Sequence, residues 1–154
     1  MSSNLKVMAI SSGGGHWVQL MRLKPAFSGF DVFYVSLDKS YSSDVKEARY
    51  YTIRDASRKN KRMFFVVAAQ LLRILLKERP SVVVTTGSAP ALICLILAKR
   101  LFRVRTIWID SIANVERLST SGEKAGKIAD VWLTQWPHIS QGTGKRPQYW
   151  GAVL

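Results

Sequence analysis

The chain has 154 residues, 47% of them hydrophobic, and a formal net charge of +13. That length and apolar content suit one folded domain over residues 1–154 and exclude a disordered polar chain. A lone cysteine, Cys94, excludes an intrachain disulfide, points to a reducing cytoplasmic setting and, with only two histidines, argues against a metal site.

The charge calls for an anionic partner: nucleic acid, an anionic membrane or a phosphorylated substrate. The N-terminus does not read as a signal peptide. The longest apolar runs, residues 63–76 and 89–98, fall short of the roughly 18 to 20 residues that span a bilayer. Contact with a membrane would therefore be peripheral.

Residues 6–10 predict a first strand, followed by Ser11-Ser12-Gly13-Gly14-Gly15-His16 and a helix over 17–24 that ends before Pro25. Residues 30–35 predict a second strand, 36–46 a polar loop, and 49–53 a short third strand. A basic run over 54–62 leads into a long, mostly apolar helix over 63–79, stopped by Pro80. Such a helix is either buried in a core or half-sunk in an anionic interface, and both readings stand open.

Residues 81–86 predict a buried strand that ends in the turn Gly87-Ser88-Ala89-Pro90, and a helix follows to about Leu101. A basic linker precedes a strand over 106–110, which closes on Asp110-Ser111 and then Asn114. Residues 116–127 predict a loop with a short helix, 131–136 a strand ended by Pro137, 138–147 a glycine-rich loop, and 148–154 a last strand.

Strands alternating with helices predict an α/β, Rossmann-like parallel sheet with helices on both faces. Right-handed crossovers then bring three polar turns, 11–16, 86–90 and 110–114, to one edge of the sheet. The glycine loop offers backbone N–H groups to an anion, and His16 stands where loop becomes helix. The same loop also fits a plain βα turn with a surface histidine. It is not a dinucleotide fingerprint, which wants G-x-G-x-x-G and an acidic residue about 20 residues on, so a nucleotide-dependent oxidoreductase is disfavoured. Trp108 and Trp132 sit in strand patterns and are expected in the core. Trp17, Trp136 and Trp150 lie at element ends, where aromatics suit a partner or membrane interface.

Several segments together resemble a known family. They are Gly13-Gly14-Gly15-His16, Ile53-Arg54-Asp55-Ala56-Ser57-Arg58, Thr85-Thr86-Gly87-Ser88-Ala89-Pro90, Ile109-Asp110-Ser111 through Asn114, Ala129-Asp130 through Gln135-Trp136, and Tyr149-Trp150-Gly151. Their order resembles the acceptor-side subunit of split GT-B glycosyltransferases. Relatives are the MurG type, the eukaryotic subunit that helps add the second GlcNAc to dolichol-diphosphate-GlcNAc, and, nearer, the bacterial exopolysaccharide and capsule branch of the PssD kind. The chain departs from the family pattern at Ala89, where a second glycine stands, at Asp110 for Glu, at Asn114 for Arg, and in lacking a proline after Ile53.

The resemblance implies the N-terminal half of a GT-B enzyme, with a smaller partner chain supplying the UDP-sugar-binding domain. The implied reaction moves a sugar from a UDP-sugar to a polyprenyl-diphosphate-linked sugar at the cytoplasmic face of the inner membrane, without an N-terminal anchor and without a metal or cofactor. His16 is the expected general base, imidazole being suited to proton transfer near neutral pH. Asp110 is the competing base, an orienting group, or a helix cap. Ser12, Gly13, Gly14, Gly15, Gly87, Ser88 and Asn114 are expected around the acceptor diphosphate. Arg58, Lys59, Lys61, Arg62, Phe64 and Phe65 are expected on the membrane, and Trp136, Trp150, Val153 and Leu154 against the partner. His138 is expected at the surface or at an interface. A non-catalytic membrane scaffold is the rival reading. A nucleic-acid binder is disfavoured, since no recognition signature accompanies the charge.

Overall fold

The computed structural model describes residues 5–55 and 61–153, with only the backbone of Lys61. Seven parallel strands form one sheet in the order β3-β2-β1-β4-β5-β6-β7. They are β1 Lys6–Ile10, β2 Asp31–Ser36, β3 Arg49–Thr52, β4 Val82–Thr85, β5 Arg105–Ile109, β6 Val131–Thr134 and β7 Gln148–Tyr149. The helices are α1 Gly15–Arg22, α2 Lys61–Glu78, α3 Ala89–Phe102, α4 Thr120–Ala125 and α5 Pro137–Ser140.

Alternation along the strands sorts the core onto two faces. Met8, Ile10, Phe33, Val35, Val83 and Trp108 face α2 and α3 and pack with Leu71, Leu75, Cys94 and Leu95. Cys94 is fully buried against the Met8 sulfur, and burial pushes its thiol far above the ordinary range. On the opposite face Ala9 and Tyr34 meet Trp17 and Leu20 of α1. Farther along that face, Val82, Val84, Ile107, Ile109 and Leu133 line a groove of about 550 Å³, bordered by Trp150 and Val153. Helices thus lie on both faces, but unequally.

Several boundaries differ from the sequence expectations. The first helix starts at Gly15 and ends at Arg22, and Pro25 then sits inside a 3-10 turn, Lys24–Phe27. The expected loop 36–46 contains a 3-10 turn, Lys39–Val45, whose first N–H groups are capped by Asp38 through a 2.8 Å bond from Ser40 N. Pro137 opens α5 rather than a loop. The last strand is two residues long, because Trp150 to Val153 leave the sheet edge to border the groove.

At the amino end of the sheet, Glu78 is 6% exposed and accepts from Tyr51 Oη, Lys6 Nζ (3.3 Å) and Arg49 Nε (3.2 Å). Burial pushes its carboxyl up, but these hydrogen bonds and the two cations outweigh burial and hold it below its ordinary value of 4.5.

Candidate functional site

β1 and β4 are neighbours, yet β1 leads to α1 on one face and β4 to α3 on the other. Their outgoing loops diverge there and open the crevice where parallel α/β sheets bind ligands. The turns after β1, β4 and β5 all lie at this carboxyl edge.

His16, the second residue of α1, reaches across the crevice: its Nδ1 is 2.8 Å from the Thr86 carbonyl oxygen. A carbonyl only accepts, so Nδ1 carries a proton, and in the neutral ring the lone pair is then on Nε2. Thr86 Oγ1 donates in return to the His16 carbonyl at 2.7 Å. Thr86 is fully buried and His16 half-buried.

Gly87 has φ +118°, and a Cβ there would stand 2.9 Å from His16 Cε1. The imidazole occupies the room a side chain would need. The N–H of Gly87, expected at an acceptor diphosphate, instead donates to Thr85 Oγ1 at 3.0 Å and closes the turn. Ser88 follows with φ 112° and ψ 166°, a region almost reserved for glycine, which costs on the order of 1–3 kcal/mol. Its Oγ is shut off from solvent and has no partner among the described residues.

In the first loop, Gly14 (φ +61°) precedes α1, and no side chain caps the helix. The N–H of Gly14 is not free either: it donates to Tyr41 Oη at 2.9 Å. The carbonyl of Ser12 accepts from Ser11 Oγ and Ser36 Oγ.

Asp110 lies at the end of β5, 2% exposed. Oδ1 accepts from Trp108 Nε1 (3.1 Å) and Ser119 Oγ (2.7 Å); Oδ2 accepts from Asn114 Nδ2 (2.8 Å) and Ser119 N (3.0 Å). A Cβ on Gly122 would stand 2.9 Å from its Cγ. Four donors fill the acceptor directions of the carboxylate, which ties down the loop that leads to α4. No hydrogen bond joins it to His16. Trp108, whose Cζ2 is 3.8 Å from the Cβ position of Gly87, stands between them. Asn114, expected at the acceptor, directs its amide to Asp110.

A second polar knot lies behind α1. Gln19, buried, donates to Ser111 Oγ (3.1 Å) and accepts from Gln135 Nε2 (2.7 Å) and Ile112 N (3.2 Å). Gln135 Oε1 accepts from Val153 N at 2.8 Å, so the C-terminal segment is pinned to the rim.

Of the residues expected against a partner, Trp150 is 69% exposed, and Trp136 is half-buried with Nε1 donating to Ile112 O at 2.7 Å. Leu154 lies outside the described residues. Trp17, expected at an interface, is 2% exposed: it stacks on Tyr41, and its Nε1 donates to Asp44 Oδ2 at 2.8 Å. Trp108 is fully buried, while Trp132 is half-buried. His138 is exposed, with Nε2 2.6 Å from Val115 O.

On α2, Phe65 is 79% exposed and Phe64 half-buried; Arg62 is exposed, and Arg58 and Lys59 lie outside the described residues. Leu76 of α2 and Ile96 and Leu101 of α3 are exposed as well. Among the described residues no helix is long and apolar enough to cross a membrane.

The sequence reading missed Tyr41 and the Thr86 carbonyl. Thr86 was legible as part of the second turn. For Tyr41 the signal was faint: Asp38-x-Ser40 marks a capped turn that would place an aromatic near the glycine loop.

A family model described as "Oligosaccharide biosynthesis protein Alg14 like" matches residues 41–153. The chain is 32% identical over 92 residues to the UDP-N-acetylglucosamine transferase subunit ALG14 of Eremothecium gossypii, covering 56% of this chain and 41% of that protein. It is 26% identical to the protein of the same description from Yarrowia lipolytica, covering 99% of this chain and 82% of that one. The chain thus spans less than half of the first relative and about four-fifths of the second. Among solved structures, Acinetobacter baumannii MurG superposes with a TM-score of 0.72 at 15% identity, over 94% of this chain and 45% of that one. The UDP-N-acetylglucosamine 2-epimerase of Rickettsia bellii gives 0.67 at 18% identity, over 88% and 40%. At such identities these structures share the fold.

Proposed function

The chain belongs to the Alg14-like family of oligosaccharide biosynthesis proteins, and from that premise we propose that it is the acceptor- and membrane-binding subunit of a two-component GT-B glycosyltransferase. The reaction is transfer of a sugar from a UDP-sugar to a hydroxyl of a polyprenyl-diphosphate-linked sugar. This chain acts as one acceptor-side domain, and a smaller partner supplies the donor site. The likeness to the PssD kind supports exopolysaccharide or capsule assembly, at the cytoplasmic face of the inner membrane, as the setting.

The observation that carries this reading is the bond from His16 Nδ1 to Thr86 O at the crevice between β1 and β4. It fixes the ring and its tautomer and leaves Nε2 as the proton acceptor. The acceptor hydroxyl oxygen attacks the anomeric carbon of the donor sugar, its proton passes to Nε2, and the sugar–phosphate bond breaks with its electron pair leaving on UDP. The N–H groups of Gly13 and Gly15 and the first turn of α1 favour the acceptor diphosphate. Ser12 and Ser88 border the same crevice. Asp110 and Asn114 act as positioning residues that hold the rim after β5.

Phe65, Leu76, Ile96 and Leu101, with Arg62 and the basic residues around α2, suit the anionic membrane surface that carries the lipid acceptor. Trp150 and Val153, at the border of the apolar groove, suit the donor-binding partner.

The test is the His16→Ala variant in the pair reconstituted with its donor-binding subunit. Turnover is expected to fall at least a hundredfold, in line with loss of a general base, while the subunits still associate. Full turnover would overturn the assignment. Activity of the partner alone on a soluble acceptor would favour the scaffold reading.

A further inference from the structure

Tyr41 reaches the glycine loop from outside it. Its Oη accepts from Gly14 N at 2.9 Å, and a Cβ on Gly13 would stand 3.1 Å from the same oxygen. The ring is fixed from behind. It stacks on Trp17 with centroids 4.9 Å apart and planes 16° apart, and Trp17 Nε1 donates to Asp44 Oδ2 at the far end of Tyr41's own 3-10 turn. Trp17 also meets Tyr34 and Tyr50 edge-on. The phenol is therefore aimed at the loop by a closed brace, with little freedom to turn away.

A phenol hydroxyl accepts through its lone pairs and donates one O–H. In Tyr41 a lone pair serves Gly14. Among the described residues the O–H has no acceptor. The ring is half-buried, and its oxygen lies against the loop, 2.9 Å from Gly14 N and 3.1 Å from where a Cβ on Gly13 would stand, so the O–H is free to serve a ligand held there.

Resting on the function proposed above, we propose that Tyr41 donates its O–H to a diphosphate oxygen of the acceptor, as a binding residue outside the glycine motif. A neutral donor with a fixed direction selects an orientation of the anion, where a lysine would offer a mobile point charge.

The test is a titration of the ¹⁵N-labelled full chain with inorganic pyrophosphate at fixed ionic strength, for wild type and Tyr41→Phe. The variant keeps the ring and its stack. In the wild type, pyrophosphate is expected to move the amide signals of residues 13–16. In the variant the apparent affinity is expected to fall about tenfold, as for loss of a hydrogen bond to a charged group, with the 15 and 16 signals of the free protein unchanged. Equal affinity would overturn the role of Tyr41 and leave the loop as a diphosphate site. Weaker binding with the free-loop signals displaced throughout would assign Tyr41 to bracing alone and overturn donation. No response of residues 13–16 in the wild type would overturn the diphosphate reading of the loop and this proposal with it.

Discussion

His16 and Thr86, 70 residues apart in sequence, exchange two hydrogen bonds: Nδ1 of the histidine to the threonine carbonyl, and the threonine hydroxyl to the histidine carbonyl. The start of α1 is thereby stitched to the end of β4. The ring's Nδ1 is thereby committed to the threonine carbonyl, and Nε2 is its other polar atom.

Gly87→Ala tests how closely the ring is placed. The new methyl would stand 2.9 Å from His16 Cε1, at a φ of +118° that L side chains avoid. Both effects push the imidazole off its bond. Turnover of the reconstituted pair is expected to fall roughly a hundredfold, the scale of a displacement of about 1 Å. Thermal unfolding, recorded in parallel, is expected to show a loss of about 2 kcal/mol. A variant with unchanged turnover would show that the ring position does not matter.

Ser88 holds a glycine-like conformation without being glycine. Ser88→Gly is expected to relieve the strain and stabilise the chain by about 1 kcal/mol in denaturant unfolding. Ser88→Ala keeps the strained backbone and removes only the unpartnered hydroxyl, so it is expected to leave stability within about 1 kcal/mol. If both variants weaken acceptor binding in the reconstituted reaction, the hydroxyl acts on the ligand. If neither does, Ser88 has no part in acceptor binding.

Much of this arrangement was legible in the chain. Apolar runs flanked by Ser11–His16 and by Thr86–Pro90 mark two strands and their carboxyl-end turns, and parallel topology forces those turns onto one rim. Contacts made by distant residues were not legible. Trp17 follows the glycine loop and looks free, yet Tyr41 and Asp44 enclose it from a segment whose polar composition hides a 3-10 turn. Asp110 reads as a candidate base because it ends a strand. Its four donors come from Trp108, Asn114 and Ser119, and no periodicity announces that they converge on one carboxylate.

Asp110→Asn tests that convergence. An amide keeps one accepting oxygen and turns an NH₂ group toward donors, so buried N–H and O–H groups lose their acceptor. A loss of about 3 kcal/mol is expected, seen as a melting temperature lower by roughly 10 °C for a chain of this size. An unchanged melting curve, with turnover abolished, would instead make Asp110 a participant in the chemistry.

Glu78 predicts the acid limb of stability. Its carboxyl titrates below 4.5 in the folded chain and near that value when unfolded, so the unfolded state takes up protons first. The stabilisation is full above about pH 5 and is lost as the pH falls below 4.5 through the folded value. Glu78→Gln is expected to cost about 2 kcal/mol at pH 7 and to flatten the decline below the ordinary value of 4.5 in melting experiments. The same slope in variant and wild type would place the acid sensitivity elsewhere.

Lys6, Asp31 and Arg49 begin their strands, while the glycine turns end theirs. The proposed site and the ionic anchorage therefore occupy opposite poles of the sheet. If the proposed acceptor site is right, its rim side chains can be exchanged without loosening the ionic clasp at the far pole.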